Sequence, residues 1–297
     1  MKRASILVGL LFVFSSFIPT LTSAQGKLTY GLSISTLGNA AYVTLTDGVR
    51  AEAKKLDIPL TVLNADNKLE KQIKDVEDMI EKKIDVLFIN PCHANAAAVI
   101  EKAVKSGMKA ITLQRAVDSP FVSSHIGTDN VVLGKQAGQW LVDKLGGKGN
   151  VVVLEGVLGA ESSEDRKKGS SQIFAKYPGI KIVAQQTGKY DRAVALGVME
   201  NILQAQPKVD AIFCYNDEMA MGALAAVRAA KRTGIIITGF DAIKDAVAAI
   251  EKGDITMTLA LPMFDMGRLA VTYGKWLKTG EMTVPLISIM PVKVVTK

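Results

Sequence analysis

The sequence predicts an α/β protein built as two similar lobes, each a parallel sheet flanked by helices. Three observations predict it. Short apolar runs alternate with longer stretches of helical periodicity along the chain. The apolar runs are apolar on both faces, as strands buried between helices must be. The second half repeats the first, in order and at near-constant spacing.

In chain order, Leu28–Ser33, Leu60–Leu63, Val86–Ile89 and Ala110–Leu113 read as strands. Helical periodicity fills the gaps at Ala40–Leu56, Lys68–Lys82 and Asn95–Ser106. In the second half the strands are Val151–Leu154, Ile180–Ala184, Ala211–Tyr215 and Ile235–Thr238. Its helices are Ser163–Lys176, Asp191–Gln204 and Glu218–Ala230. A last helix, Met266–Leu277, and terminal strand sequence over Ile287–Val295 belong to one or both lobes. Strands separated by helices imply right-handed parallel crossovers. The repeat is visible in detail. Ile84-Asp85-Val86-Leu87-Phe88 returns as Val209-Asp210-Ala211-Ile212-Phe213, an offset of 125 residues. Gly107–Leu113 has a counterpart in Gly234–Gly239, and Leu37-Gly38-Asn39-Ala40 is echoed by Leu158-Gly159-Ala160.

The first residues address the compartment. Lys2 and Arg3 precede an apolar run over Ile6–Ile18, then Pro19, then Thr22-Ser23-Ala24 before Gln25. Charged, apolar and small segments in that order read as a secretory signal peptide over residues 1–24. The run falls short of the ~20 apolar residues that span a bilayer. A lipid anchor would need a cysteine directly after the signal, and the only cysteines are Cys92 and Cys214. The mature chain is therefore expected free in a periplasm, with these two residues as buried thiols in different lobes. The formal charge is +7, of which Lys2 and Arg3 supply two, and the remaining lysines are scattered. No nucleic-acid partner is expected from that distribution.

Open parallel sheets bind ligands beyond the carboxyl ends of their strands, and two facing lobes make a cleft there. The loops in those positions carry Ser35 and Asn39, Gln114 and Arg115, Arg166, Tyr190, Asn216 and Asp217, and Phe240 and Asp241. Planar hydrogen-bonding groups with aromatic rings suit a sugar: forked donors and acceptors meet hydroxyls, and rings cover C–H faces. Each also has a structural reading. Asn216 or Asp217 caps the helix that follows, worth ~1 kcal/mol. Ser35 and Asn39 fit turns, and Tyr190 fits a loop anchor. Arg166 opposes the macrodipole at a helix start, with Glu164 and Asp165 in compensation.

Enzyme readings find little support. Ser35-Thr36-Leu37-Gly38-Asn39 is no dinucleotide fingerprint, and Gly146-Gly147-Lys148-Gly149 precedes a strand instead of following one. Cys92-His93 lacks a third orienting group. His93 and His125 are too few and too separated for a metal site. No catalysis, metal or cofactor is expected. A sugar-responsive transcription regulator would need a basic helix-turn-helix where the signal peptide lies.

At these residues the chain resembles the periplasmic sugar-binding proteins of the ribose-binding type. The run Asn216-Asp217-Glu218-Met219-Ala220-Met221-Gly222-Ala223-Leu224 is the most specific match. Ser124-His125-Ile126-Gly127-Thr128-Asp129-Asn130 is similar to the family's hinge, Gly239-Phe240-Asp241 to its Gly-Phe-Asp turn, and Ser35–Asn39 to its first cleft loop. The resemblance implies the type 1 periplasmic binding protein fold, with two Rossmann-like lobes joined by three hinge crossovers. These fall near Thr128-Asp129, Leu261-Pro262 and Met290-Pro291. The implied lobes are 25–128 with 262–289, and 129–261 with 290–297. It implies that Ser35, Asn39, Arg115, Arg166, Asn216 and Asp241 hydrogen-bond sugar hydroxyls, and that Tyr42, Tyr190 and Phe240 form aromatic walls. It also implies a monomer that delivers its ligand to an ABC permease and its ATPase. The alternative is a sensor presenting the ligand to a chemoreceptor or membrane kinase. Three departures alter the ligand. Gln114 stands where ribose binders carry an aspartate, Ala40-Ala41-Tyr42 where they carry Pro and two Phe, and Leu261 where a glutamine contacts the sugar. Another pentose, a hexose or a linear polyol is then expected in place of ribose.

Overall fold

A computed structural model of the chain describes residues 27–297. The signal-peptide reading and its cleavage position lie outside the described residues. The first lobe begins with β1 (Tyr30–Ile34), α1 (Ala40–Lys55), β2 (Leu60–Asn64), α2 (Leu69–Glu81) and β3 (Val86–Ile89). A short 3-10 turn leads into α3 (Ala97–Lys105), followed by β4 (Lys109–Gln114) and β5 (Ser124–Gly127). The chain then enters the second lobe through α4 (Asn130–Lys144), β6 (Gly149–Glu155), α5 (Glu161–Phe174) and β7 (Ile180–Thr187). It continues through α6 (Arg192–Ala205), β8 (Ala211–Cys214), α7 (Asp217–Ala229), β9 (Ile236–Phe240), α8 (Lys244–Lys252) and β10 (Met257–Ala260). The last elements are α9 (Met263–Thr279), β11 (Ile287–Ile289) and β12 (Lys293–Val295).

The two sheets share one topology. Their orders are β11-β5-β4-β3-β1-β2 and β12-β10-β9-β8-β6-β7, so the strand order reverses beside β1 and beside β6. All pairings are parallel except β12, which runs antiparallel to β10. The chain passes between sheets three times: after β5, after β10 and between β11 and β12. The terminal run Ile287–Val295, read as strand, is thus divided between both lobes, and Pro291 stands at the break.

The repeated aspartate has a physical explanation. Asp85 Oδ2 accepts the backbone N–H of Thr29 at 2.9 Å, and Asp210 Oδ2 accepts that of Asn150 at 2.7 Å. Each aspartate also donates its own N–H to the carbonyl of that same residue. One carboxylate in each lobe therefore pins the start of the first strand to the third. Burial alone would raise the Asp85 pKa, but the bonds from Thr29 and Lys278 hold it below the ordinary value. Asp85→Ala and Asp210→Ala are each expected to lower unfolding free energy by about 1.5–3 kcal/mol, the range for hydrogen bonds to charged groups. Urea denaturation measures this. Losses near zero in both variants would show that the repeat is not a staple.

Helix pairs close on glycine. A Cβ on Gly134 of α4 would lie 2.4 Å from the Arg166 carbonyl oxygen, and one on Gly169 of α5 only 2.1 Å from that of Val131. In the first lobe Gly48 of α1 and Gly267 of α9 approach the partner backbone to 2.1 and 2.2 Å in the same sense. Helix α4 is absent from the periodicity reading, as are β5, α8 and β10. Cys92 and Cys214 are both buried and free.

Candidate functional site

The cleft is built from loops at the carboxyl ends of both sheets. In the first lobe, Ser35 follows β1 and Asn90 follows β3, at the point where strand order reverses. The Ser35 hydroxyl donates to Asn90 Oδ1, and Asn90 Nδ2 donates to the Leu113 carbonyl at 2.8 Å. Ser35 therefore ties β1, β3 and β4 together beneath the cleft. Asn39 caps α1, accepting the Ala41 N–H at 2.9 Å, and its side chain draws the carboxyl of Asp241 in the other lobe toward a lower pKa. Less than one turn later, the Tyr42 hydroxyl donates to Gln114 Oε1 at 3.1 Å.

From the second lobe come Arg166 on α5, Tyr190 before α6, Asn216 at the start of α7, and Phe240 with Asp241 at the end of β9. Asn216 accepts the Met219 N–H at 2.9 Å as a helix cap and donates Nδ2 to the Tyr190 carbonyl at 3.5 Å. The Arg166 guanidinium lies 4.5 Å over the Phe240 ring. Its Nε donates to Asn130 Oδ1 at 3.0 Å and its Nη1 to the Tyr215 carbonyl. This clamp fixes the plane of the guanidinium.

Arg115 joins the lobes. Its guanidinium sits 5.3 Å from the Tyr42 ring and 5.4 Å from the Tyr190 ring, one from each lobe. Its Nη1 donates to the Pro91 carbonyl at 3.1 Å, while its Nε reaches Ser162 Oγ across the cleft at 3.2 Å. Ser162 is itself 3.1 Å from the Tyr190 hydroxyl. Further contacts cross the gap: Ala40 N to Glu218 Oε1 at 3.3 Å and Ala94 N to the Gly159 carbonyl at 3.4 Å. The lobes are closed on each other, leaving Arg115 only 1 % and Arg166 2 % exposed.

Ten of the twelve sequence-nominated residues meet around this space or directly beneath it; the other two are Asp217 and Leu261. Asp217 turns into its own lobe, where its carboxylate accepts from Thr258 Oγ1 at 2.7 Å and from the Ile243 N–H at 2.9 Å. A Cβ on Gly239 would lie 2.1 Å from Asp217 Oδ1, so the carboxylate is packed against β9 as an internal brace. Burial and nearby Asp241 push its pKa well above the ordinary value. Leu261 lies at the second crossing and lines a cavity of about 340 Å³ together with Ala40, Ala41, Asp241 and Met263. The small side chain of Ala41 leaves that wall open.

Backbone strain gathers here. Gln114, Tyr190 and Asp241 have φ of 62°, 58° and 111°, in a region that non-glycine residues enter at a cost of ~1–3 kcal/mol. The Asp241 carboxyl is pushed up to about 7 by burial, against the pull of Arg166. Asn90, Asn130, Ser162 and Tyr215 were not picked out from sequence. They orient the cleft residues, and only Asn130 carried a signal, as the last residue of the hinge run.

Twin sheets that face each other across a closed cleft, joined by three crossings and lined from both sides, define a two-lobed solute-trapping protein. The chain belongs to the periplasmic binding protein family: the family's periplasmic binding protein domain matches residues 30–281. It is 35 % identical over 280 residues to the ribose import binding protein RbsB of Bacillus subtilis, covering 94 % of this chain and 90 % of that one. It is 33 % identical over 258 residues to the D-allose-binding periplasmic protein of Escherichia coli, with 83 % of each covered. Among solved structures, an ABC transporter periplasmic solute-binding protein from Actinobacillus succinogenes with bound D-allose superposes with a TM-score of 0.84 at 31 % identity. That match covers 91 % of this chain and 98 % of the other. A solute-binding protein from Bacillus halodurans with bound myo-inositol gives 0.87 at 26 % identity, covering 93 % and 96 %.

Proposed function

We propose that the chain is the periplasmic solute-binding component of an ABC importer, trapping a monosaccharide or a closely related polyol by hinge closure. The observation that carries this reading is Arg115, held between aromatic rings of opposite lobes and bonded to Ser162 across the gap. Ligand bonded to one lobe gains further bonds only when the other closes, so closure is driven by differential affinity for the closed state. Relatives named for ribose and allose support the ligand class. The cleft contacts are Asn39, Tyr42, Gln114, Arg115, Arg166, Tyr190, Asn216 and Asp241, with Ser35, Phe240 and Asp217 holding them in place. Leu261 shapes the open wall.

The lobes on this reading are 25–128 with 262–289 and 129–261 with 290–297. Residues 1–24 are a cleaved signal, and the mature monomer carries no lipid. It catalyses no reaction, and its partners are a permease and its ATPase at the inner membrane. A thermal-shift screen tests the ligand class with pentoses, hexoses, polyols and their acid derivatives, beside amino acids and short peptides. Ligand at a thousand times its dissociation constant adds ~4 kcal/mol of stability. If only amino acids or peptides shift the transition, the sugar reading fails.

A further inference from the structure

Two arginines and several further donors face the cleft, and no carboxylate lies at ion-pair distance from either arginine among the described residues. Arg115 and Arg166 are both almost wholly buried, and arginine stays protonated in proteins. Neither forms an ion pair with a described carboxylate; their bonds go to Ser162, Pro91, Asn130 and Tyr215, all neutral. The acids nearby are bound elsewhere or have carboxyls raised by burial. Asp241 feels Arg166 more strongly than Arg115, and burial brings it to about 7. Glu161 lies behind Asn130, whose Nδ2 donates to it at 3.3 Å. Burial, with Asp165 beside it, raises Glu161 to about 8. Glu218 is bound by Arg192 at 2.7 Å, and Arg192 in turn by Asp245. Arg115, like Arg166, has no carboxylate at ion-pair distance among the described residues, and Glu161 and Asp241 act on it only from farther away.

Gln114 sharpens the imbalance. The Tyr42 hydroxyl donates to its Oε1 at 3.1 Å, which engages the amide oxygen and leaves both hydrogens of Nε2 as donors. The bonds from Gln114 and Arg115 to Tyr42, Ser162 and Pro91 run through Oε1, Nε and Nη1, which leaves Gln114 Nε2 and Arg115 Nη2 as the donors for a ligand. An aspartate at position 114 would present acceptor oxygens to sugar hydroxyls. This corner presents donors beside a buried positive charge, and a buried cation is costly unless paired. A carboxylate accepts from both donors and supplies the missing charge.

We propose that the ligand is a sugar acid, an aldonate or a uronate, whose carboxylate is bound by Arg115 and Gln114; this rests on the sugar reading above. The rest of the ligand uses the hydroxyl-binding groups on Asn39, Arg166, Asn216 and Asp241. Calorimetry at pH 7.5 with matched pairs tests it: ribose and ribonate, galactose and galactonate, glucose and glucuronate. At least one acid is expected to bind ten-fold or more tightly than its neutral parent. Gln114→Glu, which adds one negative charge at constant size, is expected to erase that preference. Neutral parents binding as tightly as every acid would overturn the proposal and leave the sugar reading standing. An acid preference untouched by Gln114→Glu would overturn the assignment to this corner. Binding of amino acids or peptides with no member of either sugar series overturns both readings.

Discussion

Arg166→Ala is expected to weaken ligand binding at least a hundredfold, about 2.8 kcal/mol. The guanidinium is held before ligand arrives: Phe240 lies beneath it, Asn130 takes Nε and the Tyr215 carbonyl takes Nη1. Its remaining edge therefore meets ligand without a further loss of side-chain freedom. A hydrogen bond to a charged group is worth about 1.5–3 kcal/mol, and leaving its partner unmatched in the closed cleft adds to the loss. Lysine restores the charge but not the planar fork, so Arg166→Lys is expected to recover only part of the affinity. Calorimetry with the ligand found by thermal shift measures both variants, with circular dichroism as a check on folding. Full affinity in Arg166→Ala would remove this residue from the site.

Gly169→Ala is expected to destabilise the protein by about 1–3 kcal/mol, the usual cost of overpacking. At ~2–4 °C per kcal/mol the transition falls by several degrees. The new methyl would lie 2.1 Å from the Val131 carbonyl oxygen and 2.8 Å from the Lys135 nitrogen, both backbone atoms that no rotamer change can move. Helices α4 and α5 must separate, and α5 carries Arg166, so ligand affinity should fall as well. Helix propensity alone predicts the opposite sign, since alanine is preferred over glycine by ~1 kcal/mol. Gly197 in α6 supplies the contrast: its Cβ would meet nothing within 4 Å, so Gly197→Ala should follow propensity and stabilise. A stabilised Gly169→Ala would show that the close helix approach is not real.

The repeated half-domains were legible because their strands are buried on both faces, and such runs stay apolar whatever the loops do. The 125-residue offset was visible because Asp85 and Asp210 perform the same local task. Strand β5 was harder to see. Ser124-His125-Ile126-Gly127 contains one aliphatic residue, and its place in the sheet is held by backbone pairing and by His125 Nδ1 against Thr112 Oγ1 at 2.9 Å. Helix α4 contains Gly134 and Gly138, residues that usually weaken a helix; they serve contact with α5, which no local pattern announces. Position after a strand end located most of the cleft residues. It also nominated Asp217, one residue beyond the cap, where helical geometry turns the side chain from the cleft toward Thr258. The orienting residues Asn90, Ser162 and Tyr215 were invisible because their roles depend on contacts distant in sequence.

The division of the last residues between the two sheets bears on how the molecule is made. Strand β11 covers the edge of β5, and β12 covers the edge of β10, and both follow every other element. Helix α9, which packs its Gly267 against α1, also arrives after every other helix. A chain emerging from its amino end therefore holds two unfinished sheets until β11 and β12 have followed. Neither lobe can be excised as one continuous fragment, and neither can reach its final stability ahead of the other.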